Sequence, residues 1–281
     1  GDLAGAGFSG AMNYFRPSGT FSFTNGVTLY YSLLACYLFY FLFNTSKTNV
    51  MLLLVSTGAL LASIPLSISR GLFFQVCVSA VFLAFAMIRN RQYVSRFVVV
   101  MILFILLGFG LMQTAFFHTA SEAFLSRFES ASDVEGGVRG VFLDRYLGGM
   151  IGAITETAQL PFFGYGTGMG TNVGSMLLTG EKTFLISEGE WGRLIGESGF
   201  LVGVAFICLR VALCIRLAMA SFKAIDKGAI LPWLLLSFTL FQIPQGQWAQ
   251  PTSLGFSVIL GGLVIAALND PETMSRKSSL N

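Results

Sequence analysis

The chain alternates long apolar runs with short polar turns, and one long mixed stretch interrupts the alternation near its middle. A hydrocarbon core needs about 20 mostly apolar residues per helix, and on that measure the runs predict about seven membrane-spanning helices. Their limits fall at 27–43, 50–68, 72–88, 97–117, 194–217, 230–243 and 254–268. The sixth is short and is bracketed by Pro232 and Pro244. The fold class that follows is all-α, a polytopic transmembrane helix bundle.

The mixed stretch, 118–193, is the one connection large enough to carry structure of its own, because the others are roughly ten residues or fewer, as tight bundles prefer. Within it Phe142, Leu143, Tyr146, Leu147, Met150, Ile151 and Ile154 recur at helical spacing, with Asp144, Arg145, Thr155, Glu156 and Gln159 opposite. The pattern predicts an amphipathic helix at the outer interface, either immersed in the membrane surface or packed on the bundle as a lid. Residues 1–268 thus read as a single membrane-embedded domain with an outer loop at 118–193, and the polar end, 269–281, as a disordered cytoplasmic tail.

Composition agrees: 54% of residues are hydrophobic and only 11% charged, which sets a soluble domain aside. The formal charge of +3 is small and the basic residues are scattered, so nothing points to nucleic acid. Cys36, Cys77, Cys208 and Cys214 lie inside apolar runs without a C-x-x-C pair, which argues against disulfides and zinc. The first residues match no signal peptide, and a chain beginning at Gly1 reads as a piece of a longer protein whose amino-terminal spans are missing.

Charge bias in the short loops sets the orientation. Arg89, Arg91 and Arg96 lie between the third and fourth spans, and Arg210, Arg216, Lys223 and Lys227 close the fifth; these ends are expected in the cytoplasm. The same parity puts Lys47, Arg276 and Lys277 inside and Arg16, Arg70 and 118–193 outside.

Several polar features stand out against this apolar background. "PFFGYGTGMGTNVG" fails the dinucleotide fingerprint, because Met169 and Thr171 occupy the positions where the third glycine would fall, and no Gly-Lys-Ser/Thr completes a Walker loop. Gly164, Gly166 and Gly168 still permit positive φ, either in a tight turn or where backbone amides approach a ligand. Arg70, in "SISRG", sits at an outer boundary where an arginine either snorkels or holds a phosphate in its planar fork. Arg16, in "RPSGTFSFTNG", precedes a turn-rich outer segment, where it is either simply solvated or, in company with other arginines, a phosphate ligand.

"SEGEWGRLIGESGFLVG" places Glu188, Glu190 and Arg193 outside the fifth span and Glu197 about a turn inside it. Glu188 or Glu190 has the chemistry of a general base, whereas Glu197 is four residues from Arg193 and suits a structural pair. His118 is the only histidine, so no metal site assembles around it, and a structural role is expected.

In order and spacing these four segments resemble the O-antigen ligase and O-antigen polymerase superfamily of bacterial membrane proteins. They are "RPSGTFSFTNG" before a span, "SISRG" between two spans, "DRYLGGMIGAITETAQLPFFGYGTGMG" in a large outer loop and "SEGEWGRLIGESGFLVG" entering the next span. The resemblance runs from Arg16 to Gly203. It implies a helical bundle with more spans than this chain holds, at the bacterial inner membrane, whose outer cavity receives an undecaprenyl diphosphate-linked glycan. The glycan moves to the sugar hydroxyl of an acceptor glycan or glycolipid, without metal or cofactor, in O-antigen or exopolysaccharide synthesis.

By motif position, Arg16, Arg70 and Arg145 inherit the diphosphate, with Arg139 and Arg193 as secondary contacts and Gly164, Gly166, Gly168 and Glu197 shaping the cavity. The family's ligases carry a histidine about nine residues before Glu197; here that residue is Glu188, the expected base. The departure favours polysaccharide polymerase, or a related exopolysaccharide transferase, over ligase. Two other classes fit the same charged outer face: a transporter for a lipid-linked or anionic substrate, and a non-catalytic membrane subunit.

Overall fold

The structure is a computed structural model and describes residues 8–12, 14–44, 48–89, 94–135, 149–155, 161–181, 185–187 and 189–270. Those residues are overwhelmingly helical, with one short antiparallel ribbon, β1 (Phe8–Ala11) and β2 (Tyr14–Arg16), in which Phe8 pairs with Arg16. The chain divides into two compact units. The first comprises Gly1–Ser130, Leu217–Phe238 and Gly262–Asn281, and the second Ala131–Arg216 and Thr239–Gly261.

In the first unit the ribbon leads into α1 (Thr24–Phe43), which packs against α2 (Val50–Leu66) and α3 (Arg70–Arg89); α2 in turn packs on α4 (Val94–Met112). Two helix starts are capped by side chains: Asn49 accepts from Met51 N at 2.8 Å before α2, and Ser69 accepts from Leu72 N at 3.3 Å before α3. Between α2 and α3 the β-branched Ile68 takes φ 47°, a left-handed conformation seldom seen without a structural constraint.

The interior of this unit is apolar, with Ala35, Cys36, Phe43, Leu60 and Leu72 fully buried. One polar seam crosses it: Ser79 and Ser237 share a 2.8 Å hydrogen bond, and Cys36 Sγ lies 3.7 Å from each. Gln75 Nε2 closes the seam by donating to the Ser237 carbonyl at 3.2 Å. Such bonds replace water for groups that would otherwise stand unsatisfied among hydrocarbon. At the far end of α3, Arg89 pairs with Asp226 at 2.7 Å, the carboxylate that follows α9 (Phe200–Ile225).

The second unit holds α6 (Gly149–Thr155), α7 (Asn172–Thr179), α8 (Glu190–Ser198), the first part of α9, the end of α10 (Leu231–Gln245) and the start of α11 (Pro251–Leu268). Thr171 caps α7 by accepting from Gly174 N at 3.0 Å, and Gly180 ends it in the left-handed region at φ 78°. Helix α6 packs on α8. It carries Ile151 and Ile154 of the predicted interfacial helix, whereas Phe142, Leu143, Tyr146 and Leu147 lie outside the described residues.

Among the described residues, four helices are long and apolar enough to cross a membrane: α1, α3, α9 and α11. A fifth crossing arises if α4 is taken together with α5 (Ala115–Glu135), although these two meet at an angle of 104°. With 17 and 15 residues, α2 and α10 fall short of a full crossing. The apolar side chains on the outside suit lipid: Ile105, Phe109 and Leu209 are 65%, 68% and 68% exposed. The chain is therefore a membrane-embedded helical protein.

Two expected boundaries move. The fourth span was expected to run through to Phe117, but the helix ends at Met112; Thr114 Oγ1 folds back onto the Leu111 carbonyl at 2.8 Å, and a new helix starts at Ala115. The fifth was expected over 194–217; instead α8 stops at Ser198, Gly199 turns the chain at φ 79°, and α9 runs on to Ile225. A side chain at Gly199 would strike the Phe162 carbonyl, so glycine is required at this break.

Candidate functional site

In the first unit, the ribbon and the α2–α3 turn bring two of the predicted arginines together. Arg16, at the end of β2, reaches across 53 positions to donate from Nη2 to Ser69 Oγ at 3.4 Å. The same hydroxyl shares a 2.9 Å hydrogen bond with Thr28 of α1 and caps α3, so one serine ties β2, α1 and α3 into a single corner. The next residue, Arg70, opens α3.

A third arginine joins them from α5. Phe124 and Phe128 interlock with Phe73, with ring centroids 5.9 Å apart for each pair, which lays α5 along the first turns of α3. Arg127 lies between these two phenylalanines in sequence and enters the same electrostatic neighbourhood. Burial pushes the Arg16 pKa below its ordinary value, and the positive charges of Arg127 and Arg70 lower it further. Arg16 Nε is buried without a hydrogen-bond partner.

Positive charge at the start of a helix runs against the helix dipole. No acidic residue lies in the first turn of α3, and the like charges of Arg16, Arg70 and Arg127 act on one another at this corner. Planar guanidinium groups match phosphate oxygens in pairs, a geometry lysine does not offer.

The second unit carries an ion-pair network. The Glu190 carboxylate, buried at 4% exposure, accepts from Arg193 Nε at 3.0 Å, from Arg193 Nη2 at 2.9 Å and from Arg210 Nη1 at 2.8 Å. Arg193 Nη1 reaches Glu197 Oε2 at 2.6 Å. Arg210 also donates to the carbonyls of Ile243 at 2.6 Å and Gly246 at 2.9 Å, where α10 ends, and lies 3.7 Å over the Trp248 ring. Burial alone would lower the pKa of Arg193, but its hydrogen bonds and charge contacts with Glu190 and Glu197 outweigh burial and raise it.

The glycine loop is fastened to this network. Tyr165 N donates to the Gly196 carbonyl at 2.8 Å, Gly166 N to the Glu197 carbonyl at 3.0 Å, and Gly170 N to Glu197 Oε1 at 2.9 Å. Gly164, Gly166 and Gly168 all take positive φ, at 72°, 104° and 92°. The Gly166 amide, one of the two readings open from sequence, thus serves the last carbonyls of α8, which have no partner within their own helix. Glu197 and Arg193 form the pair that their spacing predicted.

A small cleft of about 20 Å³, room for roughly one water molecule, lies beside the network, with Gly170, Asn172, Ser187, Glu190, Arg193 and Gln250 on its walls. His118, on α5, faces Glu122 at 3.3 Å on an exposed helix surface. Glu188, Arg139 and Arg145 lie outside the described residues.

Arg127, Ser69 and Arg210 were missed from sequence. Arg127 had a signal, since Phe117, Phe124 and Phe128 form a helical stripe beside it, but the apolar run before it was read as continuous. Arg210 had one too, because a lone charge inside an apolar span is costly unless it is paired. Comparison of the chain with known protein families, with curated proteins and with solved structures gives no match.

Proposed function

We propose that this protein is a membrane glycosyltransferase of the O-antigen ligase and polymerase type. It transfers or polymerises a glycan from an undecaprenyl diphosphate-linked donor onto an acceptor sugar hydroxyl, at the outer face of the bacterial inner membrane. In this reading α2 and α10 complete seven crossings, and 118–193 lies outside with α6 in its interfacial helix.

The observation that carries the reading is the convergence of Arg16, Arg70 and Arg127 on one corner of the first unit, where their charges repel. Two of them come from separate sequence segments expected to hold a diphosphate. As the bond to the anomeric carbon breaks, negative charge develops on the departing diphosphate, and fixed guanidinium groups stabilise that charge without reorganising. A base must also take the acceptor hydroxyl proton. Glu190 is committed to three guanidinium N–H donors, so the base in this reading is Glu188.

The test is genetic. Replacing Arg70 or Arg127 by glutamine in the full-length gene should shorten or abolish the surface polysaccharide ladder; an unchanged ladder with normal protein levels would reject the reading.

A further inference from the structure

Between Glu156 and Glu181 the chain carries no acidic or basic side chain. Within this charge-free stretch lies a tight turn, in which Gly164 N donates to the Pro161 carbonyl at 2.9 Å and Phe162 and Phe163 take the two central positions. Such positions ordinarily fall to proline, glycine, asparagine, aspartate or serine, which set the backbone or face water. Here they hold two phenylalanines that are 67% and 83% exposed, with ring centroids 5.0 Å apart. Pro161 before them and Tyr165 after them are exposed as well, so the apolar surface is contiguous rather than scattered.

The stretch continues into α7 with its polarity inverted. The buried residue of that helix is Ser175, whose hydroxyl donates to the Glu181 carbonyl, while Val173, Met176 and Leu177, at helical spacing, are exposed. A helix that turns its serine inward and its apolar stripe outward suits lipid better than water.

The turn is fixed to the end of α8. Tyr165 N and Gly166 N donate to the carbonyls of Gly196 and Glu197, and the Phe162 carbonyl lies against Gly199 with no room for a side chain between them. The residue after Gly199 opens α9, which is long and apolar enough to cross a membrane and exposes Phe200, Leu201 and Val202 in its first turn. Where α9 enters the bilayer, the tip carrying Phe162 and Phe163 is therefore at the same boundary, continuous with a lipid-facing surface. Backbone chemistry limits the depth. Gly164 N is satisfied within the turn and Pro161 has no N–H, but irregular backbone exposed to lipid is not tolerated in the hydrocarbon itself, so only the rings enter it. Tyr165, with an apolar ring and a polar hydroxyl, suits the headgroup level.

We infer that the turn at 161–164 is a membrane anchor: Phe162 and Phe163 insert into the acyl boundary of the leaflet in which α9 begins, and hold the glycine loop and the end of α8 at a fixed depth. The inference stands on α9 as a membrane span and does not depend on the transferase reading.

The test places a nitroxide spin label on Phe163→Cys in the full-length protein, after the exposed Cys77 and Cys208 have been changed to alanine, in vesicles of phosphatidylcholine and phosphatidylglycerol. Collision rates with oxygen, which concentrates among acyl chains, and with a water-soluble nickel chelate report depth. A label on Glu181→Cys, an exposed charged position of the same unit, is the aqueous reference. At Phe163 the nickel rate should be roughly threefold lower than at Glu181 and the oxygen rate roughly twofold higher, and a label on Phe162→Cys should repeat the result. Both side chains stand largely clear of the core, so the labelled proteins should melt with the unlabelled one. Nickel access equal to that at Glu181 overturns the inference and leaves the tip in water. Low access to both reagents also overturns it, because a second copy of the chain or another protein segment then covers the tip. Polysaccharide output does not enter the measurement, so the anchor can fail while the transferase reading stands.

Discussion

Arg210 and Glu190, 20 positions apart, are joined by a 2.8 Å hydrogen bond, each almost wholly withdrawn from solvent. The arginine occupies the middle of α9, whose neighbouring residues are nearly all apolar, and it is tolerated there because every direction it points offers an acceptor. Through Glu190 and Arg193 it connects to Glu197 and so to the glycine loop. A single chain of charges thus ties α8, α9, the end of α10 and the glycine loop together.

Breaking that chain at Arg210 should be severe. Arg210→Met leaves Glu190 with one partner and strips the Ile243 and Gly246 carbonyls of theirs, so unfolding should become easier by about 3–5 kcal/mol. Thermal denaturation of the purified protein would show it, and the Glu190→Gln/Arg210→Met double variant should lose less than the sum of the two singles.

The glycine loop predicts an ordering of two small substitutions. A Cβ at Gly164 would lie 2.5 Å from both the Glu197 carbonyl oxygen and the Gly199 nitrogen, whereas at Gly168 nothing lies within 4 Å. Both positions have positive φ, so each alanine costs about 1 kcal/mol in backbone strain, and Gly164→Ala adds a clash with backbone that cannot move aside. Melting temperatures should therefore fall further for Gly164→Ala than for Gly168→Ala.

Much of this was legible in the sequence, for identifiable reasons. Helices α1, α3 and α11 follow from apolar length alone, and the Arg193–Glu197 pair follows from helical spacing. The bend at Thr114 was hidden because Phe116 and Phe117 continue the apolar run while the backbone turns. The Arg210–Glu190 bond was hidden because Gly199 separates the two helices and no periodicity spans a break. The meeting of Arg16 with Ser69 depends on a ribbon and a turn 53 positions apart, which no local pattern encodes.

Arg16 should trade stability for function. Its pKa lies below its ordinary value, first through burial and then through repulsion from Arg127 and Arg70, so the folded state disfavours its protonated form. That penalty is fully present at every pH below the depressed pKa and lifts only in strongly alkaline solution. Arg16→Gln should therefore melt above the wild type, by the same margin between about pH 5 and 8, while its polysaccharide output falls. A lower melting temperature would show that the charge is stabilising.

His118 should be dispensable. It pairs with Glu122 on an exposed face of α5, where such pairs contribute little, so His118→Ala should leave the polysaccharide ladder and the melting temperature close to those of the wild type.

The central claim is that the corner formed by Arg16, Arg70 and Arg127 holds a diphosphate. Its most direct test is the affinity of the full-length protein, in nanodiscs, for undecaprenyl diphosphate, compared between the wild type and Arg70→Gln. Loss of one charged hydrogen bond, about 1.5–3 kcal/mol, predicts weakening of roughly tenfold to a hundredfold. Equal affinity in the wild type and the variant would contradict the account.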